Sequence, residues 1–160
     1  MFSFENVSHQ NRELVRSFIR QHWYSTQMVL RGDCIPLTNC PGLLLRSEDR
    51  IVALLLYRIT PSFLEILSLD CLCPNRGIGT ALINSAIEIA RNHRCRKVVV
   101  ITTNDNLEAL RFYQKRGFDL VRIRRDALTL SRKLKPSIPE IGENGIPIRH
   151  ELELEYALEP

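Results

Sequence analysis

The segment from Phe63 to Thr102 constrains the fold more than any other part of this 160-residue chain. It opens with an apolar stretch, Phe63–Leu69, and closes with the β-branched run Val98–Ile101, so it predicts a strand at each end. Between them, residues 77–93 carry apolar side chains at helical spacing: Leu82, Ile83, Ala86, Ile87 and Ala90. Two strands joined through a helix form a parallel crossover, so this segment predicts a parallel pair inside a larger sheet.

The remaining patterns add antiparallel strands and helices around this unit. Gly42–Leu45 and Ile51–Ile59 flank a polar turn and predict a hairpin, preceded by a loop that holds Gly32 and Pro36. Other predicted elements are helices over Asn11–Trp23, Asp105–Arg116 and Asp126–Leu134, and strands over Phe118–Ile123 and Glu151–Ala157. Asp105 and Asp126 are the predicted helix caps. The expected fold is α/β (α+β), with a mixed, mostly antiparallel central sheet flanked by helices.

Length and composition limit the class of protein. A chain of 160 residues has room for one mixed core, so we expect a single domain over residues 1–160. The longest apolar run, Ile51–Tyr57, is much shorter than the roughly 20 residues of a membrane helix, so no membrane partner is expected. The N-terminus shows no export signal. We therefore expect a cytoplasmic protein with its five cysteines reduced.

The turn Pro74–Leu82, between the predicted strand and helix, is a candidate anion site. Gly77 and Gly79 have no Cβ and allow a ligand to approach the backbone closely. The first N–H groups of a helix lack internal acceptors and attract anions such as pyrophosphate. Arg76 and Thr80 add a positive charge and a hydroxyl. The alternative is a strand-to-helix turn that binds nothing.

A second motif, from Asn106 to Phe118, follows one strand later. Read together, the two segments resemble the GNAT superfamily of acyl-CoA-dependent N-acetyltransferases. The superfamily motif Q/R-x-x-G-x-G/A is matched at Gly77 and Gly79, whereas Pro74 occupies the position of Gln or Arg. That side-chain contact to pyrophosphate is therefore absent, and Arg76 is the candidate to replace it. The later motif, N-x-x-A-x-x-x-Y-x-x-x-G-F, is matched at every position. Residues 135–149 and the acidic final strand are similar to a group of bacterial members.

The resemblance implies direct transfer of an acetyl group from acetyl-CoA to a primary amine, with no metal. The backbone around Leu69, Asp70 and Cys71 is then expected to polarise the thioester carbonyl. Residues implied in binding the cofactor are Leu69, Cys71, Arg76, Gly77, Ile78, Gly79, Thr80, Asn106, Ala109 and Tyr113. Asn106 also suits a helix cap, and the two roles are compatible.

Three residues are candidates for proton transfer. Tyr113 occupies the general-acid position of the superfamily, although its place on an apolar helix face also suits simple core packing. A carboxylate near the amine can accept its proton, and Asp70 and Glu65 are the candidates. The alternatives are that Asp70 only accepts backbone N–H groups in a turn and that Glu65 is solvated.

Other clusters carry weaker predictions. The spacing of Cys71 and Cys73, and of Cys34 and Cys40, does not fit a zinc site, so we expect small buried thiols and no metal. A set of basic residues suits either the ribose phosphate of CoA or solvated helix ends: Arg91, Arg94, Arg96, Lys97, Arg111, Lys115 and Arg116. The late loop is a candidate wall of an acceptor pocket through Glu143, Asn144, Arg149 and His150.

The expected partners follow from these assignments. The acceptor is a small-molecule or peptide amine, and the final strand offers an edge for pairing in a possible homodimer. The excess of 22 basic over 18 acidic residues gives a formal charge of +4, which suits a phosphorylated cofactor. The basic residues lack the interleaved aromatic residues of a nucleic-acid surface, so no nucleic acid is expected. A module that binds acyl-CoA without catalysis is the alternative function.

Overall fold

The computed structural model of the protein describes residues 2–23 and 25–159. Its helices are α1 (Arg12–Trp23), α2 (Ile78–Asn92), α3 (Leu107–Lys115) and α4 (Ala127–Leu134). Its strands are β1 (Glu5–Asn6), β2 (Gln27–Leu30), β3 (Asp33–Pro36), β4 (Gly42–Ser47), β5 (Arg50–Ile59), β6 (Phe63–Cys71), β7 (Lys97–Thr103), β8 (Asp119–Arg124) and β9 (Glu151–Ala157). A single turn of 3-10 helix covers Leu37–Asn39. The chain divides into two compact units, and the division falls within β7: Lys97 and Val98 belong to the first unit and residues 99–103 to the second.

The first unit contains α1, α2 and four strands in the order β1-β4-β5-β6, with the first residues of β7 next in the sheet. The pairs β1–β4, β4–β5 and β5–β6 are antiparallel. Strand β7 runs parallel to β6, as the crossover pattern predicts. The fold class is therefore confirmed. Every residue of the predicted apolar stripe of α2 is buried, which explains why this helix forms where the sequence places it.

Strand β6 is buried on both faces from Leu64 to Ser68 and carries one irregularity. Leu56 pairs with Ser68, whereas the adjacent Tyr57 pairs with Ile66. Leu67 is therefore an extra residue on β6, in a β-bulge. The bulge changes the alternation of the strand, which explains the imperfect apolar pattern in the sequence.

The second unit contains α3 and α4 with strands in the order β7-β9-β8. Strand β9 therefore has a neighbour on each side, and the expectation that it offers a free edge for a dimer is wrong. Glu151 and Glu153 of β9 are 3% and 6% exposed, so its acidic residues do not form a solvated face. Arg124 of β8 and Arg31 donate to Glu153 over 2.9 Å and 3.3 Å, and these charges allow a carboxylate to be buried.

The expected loop around Gly32 is wrong, because it contains a β-hairpin. Strands β2 and β3 form a two-stranded sheet joined by Arg31 and Gly32. Both joining residues have positive φ, at 51° and 81°, as a type I′ turn requires. Arg-Gly is not one of the dipeptides that mark such a turn, so the sequence pattern indicates this hairpin only weakly.

Two predicted helix caps need correction. Helix α3 is capped by Asn106, whose Oδ1 accepts the Ala109 N–H over 3.1 Å, and not by Asp105. Asp126 does precede α4, but its carboxylate makes no cap hydrogen bond and instead accepts from Arg149 over 3.0 Å. In both cases a neighbouring residue competes for the side chain that the pattern assigns to capping.

Candidate active site

The start of α2 has the geometry of an anion site. Gly77, at φ 77°, precedes the helix in the left-handed conformation, and no side chain caps the first turn. The N–H groups of Ile78 and Gly79 therefore keep their capacity to bind an external acceptor. Arg76 is exposed and makes no hydrogen bond or ion pair with any described residue. Ile78 is 4% exposed, so only its backbone remains for a ligand.

The end of β6 presents backbone donors on one edge. The Leu72 N–H donates to Val52 O of β5 over 2.8 Å. Successive N–H groups of a strand point to opposite edges, so those of Leu69 and Cys71 point away from β5. This is the edge of β6 on which β7 follows in the sheet, and the contact of these N–H groups with a thioester carbonyl remains a prediction. The thiol of Cys71 donates to Cys73 O over 3.3 Å.

Asp70 lies at the same end of β6 and is partly buried. Burial raises the pKa of its carboxyl, while the hydrogen bond from Trp23 and the nearby His22 act in the opposite direction. The Trp23 indole Nε1 donates to Oδ2 over 2.9 Å. The other oxygen, Oδ1, has no hydrogen-bond partner among the described residues. A carboxylate with one oxygen held and a raised pKa has the properties of a general base. Trp23, the chain's single tryptophan, was not among the predicted site residues.

Glu65 has a different environment. It is fully buried, and Arg58, its cross-strand partner on β5, contacts its Oε1 from Nη2 over 2.9 Å and from Nε over 3.1 Å. The interpretation of Glu65 as a solvated side chain is therefore wrong. Because β6 is covered on both faces, the carboxylate is retained only with a charged partner.

Tyr113 is the buried residue of α3, at 6% exposure. Its ring packs edge-on against Phe112 and Phe118, with centroids 5.1 Å and 5.2 Å away. Phe118 in turn contacts Tyr156 at 5.5 Å. The ring thus packs in an aromatic cluster, as one of its two predicted roles requires, and its role as an acid remains a prediction.

The cap of α3 also involves two predicted cofactor residues. Asn106 uses its Oδ1 for Ala109 N–H, while its Nδ2 has no partner among the described residues. The capping role of Asn106 is confirmed. Its contact with a cofactor remains a prediction, as does that of Ala109, whose N–H is already engaged.

Comparison with known proteins places these features in a family. The family model described as Acetyltransferase (GNAT) family matches residues 8–118. The chain belongs to the GNAT acetyltransferase family. Uncharacterized protein YxbD of Bacillus subtilis (strain 168) is 43% identical over 145 residues, which cover 88% of this chain and 89% of YxbD.

Solved GNAT structures show the same fold. A GNAT family acetyltransferase from Elizabethkingia anophelis with acetyl-CoA bound gives a TM-score of 0.68 at 21% identity, covering 98% of this chain and 97% of its own. A Bacillus subtilis acetyltransferase in complex with CoA gives 0.70 at 20% identity, covering 99% and 100%. The GNAT model match extends through the α2 turn and the whole of α3, which carry the two motifs.

The cysteine thiols of this GNAT protein differ in exposure. Cys40 and Cys95 are buried, Cys71 and Cys73 are partly buried, and Cys34 is exposed, so the expectation of buried thiols is wrong for Cys34. Within residues 2–23 and 25–159, no group of three His, Cys, Asp or Glu side chains is placed to hold a metal. No helix in the same described ranges is long and apolar enough to cross a membrane.

The predicted basic residues differ in how much they are constrained. In the first unit, Arg91 pairs with Glu88, whereas Arg94 and Arg96 are exposed. In the second unit, Arg116 donates to Phe112 O over 2.8 Å and lies 3.7 Å above the Phe112 ring. Arg116 is therefore held by its own helix.

The late-loop residues proposed for an acceptor pocket make structural contacts. Asn144 donates from Nδ2 to Asp105 O over 3.0 Å, and Arg149 binds Asp126. His150 accepts the Asp126 N–H at Nδ1 over 2.8 Å, so this nitrogen is not available as a base. Glu143 is exposed.

Proposed function

We propose that this protein is an N-acetyltransferase that moves the acetyl group of acetyl-CoA to a primary amine, using the whole of residues 1–160 as one catalytic domain. The observation that carries the proposal is the uncapped start of α2 behind the left-handed Gly77, within the family's acyl-CoA motif. The similar structures from Elizabethkingia anophelis and Bacillus subtilis contain acetyl-CoA and CoA, which supports the same cofactor here.

The chain's own backbone supplies most of the cofactor contacts in this proposal. The pyrophosphate binds the N–H groups at Ile78 and Gly79, where the helix dipole favours negative charge, and Thr80 also contacts the cofactor in this proposal. Arg76 adds a charge from the adjacent exposed turn. The N–H groups of Leu69 and Cys71, on the edge of β6 opposite β5, polarise the thioester carbonyl in this proposal.

Asp70 is the preferred general base. The attacking amine must lose its proton, and a free alkylamine has a pKa of about 10. Asp70 has an available oxygen and a pKa above that of an ordinary aspartate, so it accepts the proton directly or through water as the N–C bond forms. Glu65 is the less suitable candidate, because its carboxylate is fully buried and paired with Arg58.

Tyr113 completes the transfer as general acid. Collapse of the tetrahedral intermediate breaks the C–S bond and leaves the electron pair on sulfur, and the phenol donates its proton to this thiolate. Asn106 and Ala109 contact the cofactor in the same proposal. The ring packing against Phe112 and Phe118 supports the role, since it fixes the direction of the hydroxyl.

Two observations favour a second function. Pro74 replaces the Gln or Arg of the family motif, and Tyr113 fits an aromatic cluster without any catalytic need. A cytoplasmic module that binds acyl-CoA without turnover would have both features. In the catalytic proposal, the acceptor is a small-molecule or peptide amine, and the protein acts in the cytoplasm.

Release of CoA, followed with a thiol reagent against a panel of small amines and peptides, separates the two functions. The enzyme requires that at least one amine accelerates release and that an acetylated amine forms in equal amount. If acetyl-CoA binds but no amine accelerates release, and Tyr113→Phe binds it equally well, the binding module is the correct function.

A further inference from the structure

The turn between β7 and α3 is fastened to the late loop through Asn104. The Asn104 Oδ1 accepts the backbone N–H groups of Arg149 and His150, each over 2.9 Å. Its Nδ2 donates to Pro147 O over 2.9 Å, and its own N–H donates to His150 O over 3.1 Å. One asparagine therefore makes four hydrogen bonds to the backbone of Pro147, Arg149 and His150.

Asp105 adds a second attachment at the next residue. It is 8% exposed and accepts the Thr103 hydroxyl over 2.5 Å. Its carbonyl accepts Asn144 Nδ2 over 3.0 Å. Its carboxyl lies so close to Gly142 that a Cβ on Gly142 would come within 2.7 Å of Cγ. Only glycine therefore allows the loop to close over this carboxyl without moving it.

The other side of the loop is fixed to α4. Arg132 donates from Nη2 to Ile148 O over 2.6 Å and to Pro139 O over 2.8 Å. The Leu128 N–H donates to Arg149 O over 3.1 Å. The loop is therefore held by hydrogen bonds to α4 as well as by those to the turn before α3.

Helix α3 starts directly after this turn. Asn106, its cap, follows Asp105, and Tyr113 lies two turns further along the helix. We propose that Asn104 and Gly142 are positioning residues, which set the place of α3 and so of Asn106 and Tyr113. This inference rests on the proposed function for its kinetic consequence, and on the loop contacts alone for its structural one. It assigns the late loop to bracing the catalytic helix rather than to binding the acceptor.

The kinetic consequence is specific. A shift of the helix start changes the cofactor contact of Asn106 and the direction of the Tyr113 hydroxyl, and displacements of about 1 Å are costly in catalysis. We expect acetyl-CoA to bind about tenfold more weakly and kcat to fall about tenfold, while the KM for the amine stays within twofold.

Three variants and one matched control test it. Asn104→Ala removes all hydrogen bonds of the Asn104 side chain to the late loop. Asn104→Asp keeps the oxygen that accepts two N–H groups and is expected to retain more activity. Gly142→Ala places a methyl group against Asp105 and leaves Asn104 unchanged. Ser137→Ala is the control, because it lies at an exposed position of the same loop and introduces no backbone strain.

The kinetic readout excludes a purely structural role. All proteins are assayed well below their melting temperatures and corrected for folded fraction by circular dichroism. The expected result is the loss in Asn104→Ala and Gly142→Ala, partial rescue in Asn104→Asp and near wild-type values in Ser137→Ala. Unchanged constants in the folded variants overturn the inference. An increase in amine KM with acetyl-CoA affinity unchanged also overturns it, since the loop then binds the acceptor.

Hydrogen exchange separates failure of this inference from failure of the proposed function. In the wild-type protein without ligand, we expect the amides of residues 109–113 to exchange at least tenfold more slowly than in Asn104→Ala and Gly142→Ala. Equal protection in all variants overturns the bracing role whether or not the protein is an enzyme. A wild-type protein that fails to bind acetyl-CoA, but shows the exchange difference, contradicts the proposed function and leaves the bracing role supported.

Discussion

The indole Nε1 of Trp23, at the last residue of α1, donates a 2.9 Å hydrogen bond to Oδ2 of Asp70, near the end of β6. The bond joins residues 47 positions apart and fixes one oxygen of a partly buried carboxylate. It lowers the pKa of Asp70, while burial raises it by more, so the net shift is upward. The Trp23 hydrogen bond therefore opposes part of the upward shift that burial causes in the pKa of Asp70.

Replacing Trp23 by Phe tests the effect of this hydrogen bond on the pKa of Asp70. The substitution keeps an aromatic ring but removes the N–H that stabilises the charged carboxylate, so the pKa of Asp70 rises further. Because the base must be unprotonated, we expect the acidic limb of the pH profile of kcat/KM to move to higher pH. Tyr57→Phe, which removes a hydroxyl elsewhere in the same unit, is the control. An acidic limb that stays in place would show that Asp70 is not the base.

Asp70→Asn separates catalysis from stability. Removing the base lowers kcat about 10²-fold or more, with acetyl-CoA affinity unchanged. Asp49→Asn, at an exposed turn, should keep full activity. Retained turnover in Asp70→Asn would contradict the proposed role.

The same variant has a predicted pH-dependent effect on melting temperature. The pKa of Asp70 is raised in the folded protein, so the unfolded chain releases this proton first and wild-type stability falls as pH rises through the interval between the two values. Asparagine cannot ionise and avoids this loss. We therefore expect the melting temperature of Asp70→Asn relative to wild type to increase from about pH 4 to pH 7. A constant difference across this range would contradict the raised pKa.

Tyr113→Phe removes a hydroxyl and keeps the ring that packs against Phe112 and Phe118. We expect acetyl-CoA affinity and the free energy of unfolding to change little, and kcat to fall about 10²-fold as a general acid is lost. Tyr156→Phe, in the same aromatic cluster, is the control. Equal kcat values for the two variants would leave Tyr113 with a packing role only.

Arg58→Ala tests the interpretation of Glu65 as a structural ion-pair residue. It removes the guanidinium next to a fully buried carboxylate, and we expect the free energy of unfolding to fall by about 3 kcal/mol. Arg50→Ala, on the same strand but exposed, is expected to change it by less than about 0.5 kcal/mol. Chemical denaturation measures both, and similar values for the two would contradict the ion-pair interpretation.

The fold was largely predictable because its main elements have strong periodic patterns. Residues Val98–Ile101 and the apolar stripe of α2 are buried as predicted. The β2–β3 hairpin was missed because Arg31 and Gly32 adopt a turn that other dipeptides usually mark. The position of β9 between two strands was not predictable either, since strand order depends on packing between distant segments.

The sequence predicts the candidate site only at the residues that the two family motifs include. The motif led to the α2 turn and to Tyr113 without any structure. Local spacing gives no indication that Trp23 meets Asp70, or that Asn104 holds Arg149 and His150, because these contacts span 45 or more residues. Local sequence predicts that Asp105 caps α3, whereas in the structure its carboxylate accepts the Thr103 hydroxyl.

Calorimetric titration of acetyl-CoA into wild type and Gly79→Glu tests whether the first turn of α2 binds the cofactor. A glutamate at Gly79 puts a side chain and a negative charge on the first turn of α2, whereas Asn84→Glu adds the same charge to an exposed position further along this helix. We expect one acetyl-CoA per chain for wild type and Asn84→Glu, and no binding for a folded Gly79→Glu. Unchanged affinity in Gly79→Glu would contradict it.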